Sequence, residues 1–120
     1  MSCSVEWQMF INAGVGHPSL PQNTGAGKDY ARYAPTAATR FTDDPEEGVA
    51  LPDDANCAKI DVLDNMVEYR VGATDVVAGE GAIWFANTSY VYENQRAFLE
   101  NVSFIDASAA SDIRVTWGRV

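Results

Sequence analysis

The sequence predicts an all-β fold, an antiparallel β-sandwich of about six to eight short strands with an irregular N-terminal arm. Three observations predict it. Apolar residues alternate with polar ones in several short runs, the period at which one face of a strand is buried. Turn residues separate these runs at spacings of about ten to fifteen residues. Helix-period amphipathicity is confined to Glu93 through Glu100, room for two turns at most. With 120 residues the chain reads as a single domain, 1–120, able to bury about two thirds of its extended surface without staples.

The elements follow in order. Trp7, Met9 and Ile11 share one parity within Val5 to Ile11, which suggests a strand. Residues 12–36 read as a Gly/Pro-rich loop or arm, with Gly14, Gly16, Pro18, Pro21, Gly25 and Gly27 interrupting both helix and ladder. A second irregular stretch, Asp43 to Asp54, holds Pro45, Gly48 and Pro52. Ala58, Ile60 and Val62 share a face, as do Val67, Tyr69 and Val71 beyond Asp64-Asn65. A tight turn at that dipeptide predicts a hairpin pairing 62 with 67, 60 with 69 and 58 with 71. The core face then holds three apolar pairs, with Glu68 and Arg70 exposed or at an interface. The wet face opposes this register, because Asp61–Glu68 and Lys59–Arg70 face each other as like charges. Burial outweighs that repulsion, at roughly 1.5–3 kcal/mol per side chain against tenths for exposed charge. Ala82 to Ala86, the Val102/Phe104 run and Ile113/Val115/Trp117 supply the remaining strands.

Charge excludes one class of function. Seventeen acidic against eight basic residues leave a net charge of −9, opposite to what a duplex-binding module needs, so no nucleic-acid partner is expected. No apolar run approaches the roughly 20 residues that span a bilayer, and no signal-peptide pattern opens the chain, so no membrane partner is expected. Cys3 and Cys57 form no disulfide framework and lack the spacing of a zinc site. Both thiols are expected to be free, with Cys57 facing away from the core by parity with Lys59 and Asp61. The rival is a bridge pinning the N-terminal strand to the sheet.

No catalytic, cofactor or metal residues are assigned. His17, the single histidine, lies in a Gly/Pro-rich stretch, where a solvent-facing turn residue is the simpler reading. Gly25-Ala-Gly-Lys28-Asp29 fails the phosphate-loop pattern at Gln22 and at Asp29. Asp43, Asp44, Glu46, Glu47, Asp53 and Asp54 crowd into twelve residues, but not at calcium-loop spacing, so they read as a solvated acidic loop. Tyr90-Val-Tyr92 offers either a sugar-stacking platform or core and interface aromatics. Tyr30, Tyr33, Tyr90 and Tyr92 are the candidate interface residues.

One resemblance adds to this reading. Leu51-Pro52, Ala55, Ala58-Lys-Ile60, Val67-Glu-Tyr-Arg-Val-Gly72, Ala78-Gly-Glu80, Phe104-Ile-Asp-Ala-Ser108 and Ile113-Arg-Val-Thr-Trp117 occur in that order over a little more than half of the chain. In this order of strands and turns the chain resembles the small β-sandwich virion proteins of tailed bacteriophages, several of which are capsid decoration (cement) proteins. The resemblance implies a non-enzymatic structural protein on the capsid surface, made in the host cytoplasm. It implies the major capsid protein as partner, self-association with a trimer favoured, and no cofactor. The rivals are a tail or fibre module binding host carbohydrate and a small acidic hydrolase.

Overall fold

The computed structural model describes residues 29–119. Among these described residues nine strands and one short helix follow one another: β1 (Tyr30–Tyr33), β2 (Thr39–Arg40), β3 (Glu47–Gly48), β4 (Cys57–Val62), β5 (Val67–Val71), β6 (Ala82–Trp84), β7 (Thr88–Tyr92), α1 (Arg96–Asn101), β8 (Val102–Asp106) and β9 (Ile113–Gly118). They form two antiparallel sheets, β3-β1-β9-β4-β7 and β2-β8-β5-β6. This is the antiparallel sandwich that the alternating runs predict. The strands exceed the expected number because β2 and β3 are two-residue pairings, too short to leave a pattern. The Glu93–Glu100 expectation matches α1, whose Leu99 is buried.

The predicted hairpin does not form. β4 pairs with β7 and β9 in one sheet, while β5 pairs with β6 and β8 in the other. The chain crosses between them within residues 63–66. Leu63 N–H donates to Asp112 O beside β9, and Met66 O accepts from Ala107 N–H beside β8. The strands face each other across the core and do not share a ladder. This arch keeps Ile60 and Val67 inward as the hairpin would have done, and it removes the like-charge pairs: Asp61 now lies beside Arg114 and Ser89. Two further expectations are corrected. Glu68 is buried. Residues 30–33, inside the expected 12–36 arm, are β1, laid between β3 and β9. Residues 12–28 and the expected Val5–Ile11 strand lie outside the described residues.

The inward faces supply the core. Ile60, Val62, Ile113, Val115 and Trp117 come from one sheet, and Val67, Trp84, Val102 and Phe104 from the other. Phe41, just after β2, joins the layers. Its ring centroid lies 4.7 Å from Phe104, 5.4 Å from Trp117 and 5.8 Å from Tyr33, and each such pair adds about 0.5–1.5 kcal/mol beyond burial. Gly48 closes the far edge: its φ is +84°, and a Cβ there would sit 1.9 Å from Tyr30 O, so β3 can pair with β1 only through glycine.

Cys57 corrects the thiol expectation. It is disulfide-bonded and fully buried. Parity places it on the outer face, as expected, but that face is covered at this position. Cys3 lies outside the described residues.

Candidate functional site

Three surfaces carry side chains that the core does not consume. The first is the outer face of the four-stranded sheet. Residues 72–81 fold back over part of it and are held by three side chains. Glu68, pointing outward from β5, accepts N–H bonds from Gly79 and Gly81 at 2.9 Å. Ser103, on β8, accepts from Val76 N–H at 2.8 Å. Arg40 donates to Gly72 O, Ala73 O and Asn101 O at 3.0–3.2 Å and pairs with Asp75. The main-chain donors of Gly81 and then Gly79 hold the Glu68 carboxyl below its usual range, although desolvation opposes them.

Beyond Glu68, toward Met66 and Phe85, that face is apolar, while at its other end Arg70 is exposed opposite Ser103. Ile83 and Ile105 flank Glu68 across the strands and are half-buried. Met66 and Phe85 lie one residue beyond the Val67–Trp84 pair, with the parity of Glu68 and Ile83, and are 37% and 60% exposed. Neither was singled out from the sequence. The available signal was Phe85 closing the Ala82–Ala86 run at outward parity.

The second surface is the flank where β6 and β7 end their sheets. Tyr90 and Tyr92 turn their rings inward there. Tyr92 stacks on Phe98 at 4.3 Å and its hydroxyl accepts from Trp84 Nε1–H at 3.0 Å. The Tyr90 hydroxyl accepts from Phe85 N–H at 2.8 Å. Burial raises the Tyr92 pKa. These rings are half-buried and do not form an outward stacking platform. The structure therefore keeps Tyr90 and Tyr92 at a solvent-reaching edge and separates them from the other two candidates. Tyr30 lies on the outer face of β1, half-buried. Tyr33 is a core residue, 2% exposed, its hydroxyl 2.9 Å from Phe41 O and 3.0 Å from Asp43 O, so it cannot meet a partner. The sequence offered only a tyrosine in a Gly/Pro-rich region; the strand beneath it was not visible.

The third surface is an open groove of about 500 Å³ on the outer face of the five-stranded sheet, lined by Lys59, Asp61, Asn87, Thr88, Ser89 and Arg114 among others. Ser89 Oγ donates to Asp61, and Lys59 Nζ lies 3.7 Å from the same carboxylate. The groove offers hydroxyl, amide and paired-charge groups to a polar ligand.

Three carboxylates of the acidic stretch are paired, while Asp44, Glu46 and Asp53 are exposed. Glu47 pairs with Arg32, Asp54 with Arg119, and Asp43 accepts from Arg40 N–H. Among the described residues no three His, Cys, Asp or Glu side chains converge as metal ligands, and no helix is long and apolar enough to cross a membrane. His17 and Lys28 lie outside the described residues. Comparison with protein-family models, with curated proteins and with solved structures returns no match.

Proposed function

We propose that this chain is a virion structural protein that binds the outer surface of a phage head and stabilises it, acting by adhesion and not by catalysis. The observation that carries the reading is the apolar outer face at Met66, Ile83, Phe85 and Ile105. A large ring 60% exposed beside half-buried aliphatics is the surface a binding partner covers, here the major capsid protein. The Cys57 disulfide supports a working place outside the reducing cytosol, such as a virion surface. A net charge of −9 keeps an abundant surface protein soluble. The resemblance to decoration proteins supplies the identity of the shell. Assembly follows synthesis in the host cytoplasm, and the bridge closes after release.

The test is co-sedimentation with undecorated capsids. Phe85→Asp should abolish binding while its thermal unfolding stays near that of the parent. Binding unchanged by this variant overturns the assignment of the face. A mass-spectrometric count in purified particles should find hundreds of copies; tens or fewer would place the protein in the tail. The groove at Lys59, Asp61 and Ser89 favours that second reading, a tail module binding host carbohydrate, and a glycan array separates the two.

A further inference from the structure

Cys57 opens β4, is disulfide-bonded and has no exposed surface. A sulfur buried within its own chain does not reach a second molecule, so the bridge is internal. The sequence holds one other cysteine, Cys3.

The burial of Cys57 is local. It points outward from the five-stranded sheet, with the parity of Lys59 and Asp61. Its cross-strand neighbour on β9 is Gly118, which has no side chain to lay over it. Val91, outward on β7 opposite Lys59, is 41% exposed. The outer face is therefore open at Val91 and closed over Cys57, as expected where the second half of a bridge lies on top of the first.

The same end of the sheet holds Asp29, the first described residue. Its carbonyl accepts from Trp117 N–H at 2.9 Å, one residue before Gly118. β1 and β4 flank β9, so Asp29 and Cys57 stand two strand spacings apart, about 10 Å. Arg119 braces this end, 2.6 Å from the Asp29 carboxylate and 2.9 Å from that of Asp54. Ladder and ion pairs thus fix both anchor points without help from the bridge. From Cys57, β4 runs about 17 Å to Val62 before the chain crosses to Met66. The anchors lie at the end of the sandwich away from Met66 and Phe85.

We propose that Cys57 is bonded to Cys3, and that this bridge is a redox-controlled tether. It closes residues 4–28 into a loop with both ends on the β1-β9-β4 rim. The bridge forms by exchange: the two thiols pass two electrons and two protons to a small-molecule disulfide such as oxidised glutathione, which leaves as two thiols. Where thiols are kept reduced, the segment is held at Asp29 alone. Residues 1–28 held at one end extend to at most about 90 Å, and residues 4–28 closed at both ends to about 40 Å. The redox state of the surroundings sets how far this segment can reach for a neighbour, from the end opposite the apolar docking face.

The test uses the purified full chain without capsids, so its failure and that of the virion reading are distinguishable. After alkylation of free thiols, a tryptic digest without reductant should contain residues 1–28 joined to residues 41–59. Alkylated Cys3 and Cys57, or two copies of 41–59 joined together, overturns the pairing. Size-exclusion chromatography in native buffer reads the tether. Reductant should shift the parent to a larger hydrodynamic radius, with the near-ultraviolet circular dichroism of the buried Trp84 and Trp117 retained. Cys3→Ser should start at that larger radius and lose the response to reductant. An equal radius in the oxidised and reduced parent overturns the tether, and a response that survives in Cys3→Ser overturns the pairing.

Discussion

The two sheets carry the same alternation but use their outer faces differently. In the five-stranded sheet the charged outward residues Arg32, Arg114, Lys59 and Asp61 pair with neighbours or with Asp112, and Ser89 and Val91 share their face. In the four-stranded sheet the outward positions are Arg40, Ser103, Glu68, Arg70, Ile83 and Ile105, with Met66 and Phe85 just beyond the strand ends. Residues 72–81 bury Ser103 and Glu68, Arg40 holds that loop, Arg70 is exposed, and the four apolar residues lie together at the other end. The contrast teaches that alternation marks which residues face the core, and leaves open whether the opposite face is wet. Polar residues facing outward can be anchors for a covering loop, as Glu68 is.

Inward positions should behave alike in both sheets, and they give the largest effects. Phe104→Ala should cost about 3–5 kcal/mol and Ile60→Ala about 2–5 kcal/mol in denaturant unfolding, since both are fully buried. A small cost at only one of them would mean that the two sheets do not share a core. Next comes the covered position on the charged sheet. Reducing the Cys57 disulfide should lower stability by about 2–4 kcal/mol, measured as the shift in unfolding midpoint with reductant.

Glu68 sharpens the comparison through pH. Its folded pKa is depressed from 4.5, so its contribution is fully present above that value and is lost as pH falls through the folded pKa. Parent protein should therefore show lower amide protection at Gly79 and Gly81 in acid, taken relative to the intrinsic exchange rate at each pH, with the sheets still folded. Glu68→Gln should show the same loosening at neutral pH and lose the acid dependence. The smallest effect belongs to the solvated face. Arg114→Ala, half-exposed with a 3.9 Å ion pair, should change stability by no more than about 0.5 kcal/mol.

These contrasts also explain what was legible in the sequence. Ile60, Val62, Phe104 and Trp117 could be placed inward because burial imposes a strict period of two. The partner of β4 could not, because an arch and a hairpin turn the same residues inward. The warning lay on the other face, where the hairpin required Asp61 to oppose Glu68 and Lys59 to oppose Arg70. Phe41 stands outside a regular strand, where periodicity carries no information, whereas Phe85 continues the parity of Ile83 and shows its outward direction but not its exposure. The burial of Cys57 shows the same limit: parity gives its outward direction, but not whether that face is covered.

The arch between β4 and β5 has a consequence for the order in which the chain acquires its structure. β4 gains no ladder from its sequence neighbour and pairs with β7 and β9, while β1 also depends on β9. The five-stranded sheet is thus assembled around a strand that emerges last among the described elements. During synthesis β1 can meet β3 and β4 can meet β7, but these two pairs join into one sheet only after β9 has left the ribosome. Closing such distant contacts is slow, on the millisecond-to-second scale of β-sandwiches. The β5–β6 pair is local and can form early, so the smaller sheet supplies the first surface on which the larger one condenses.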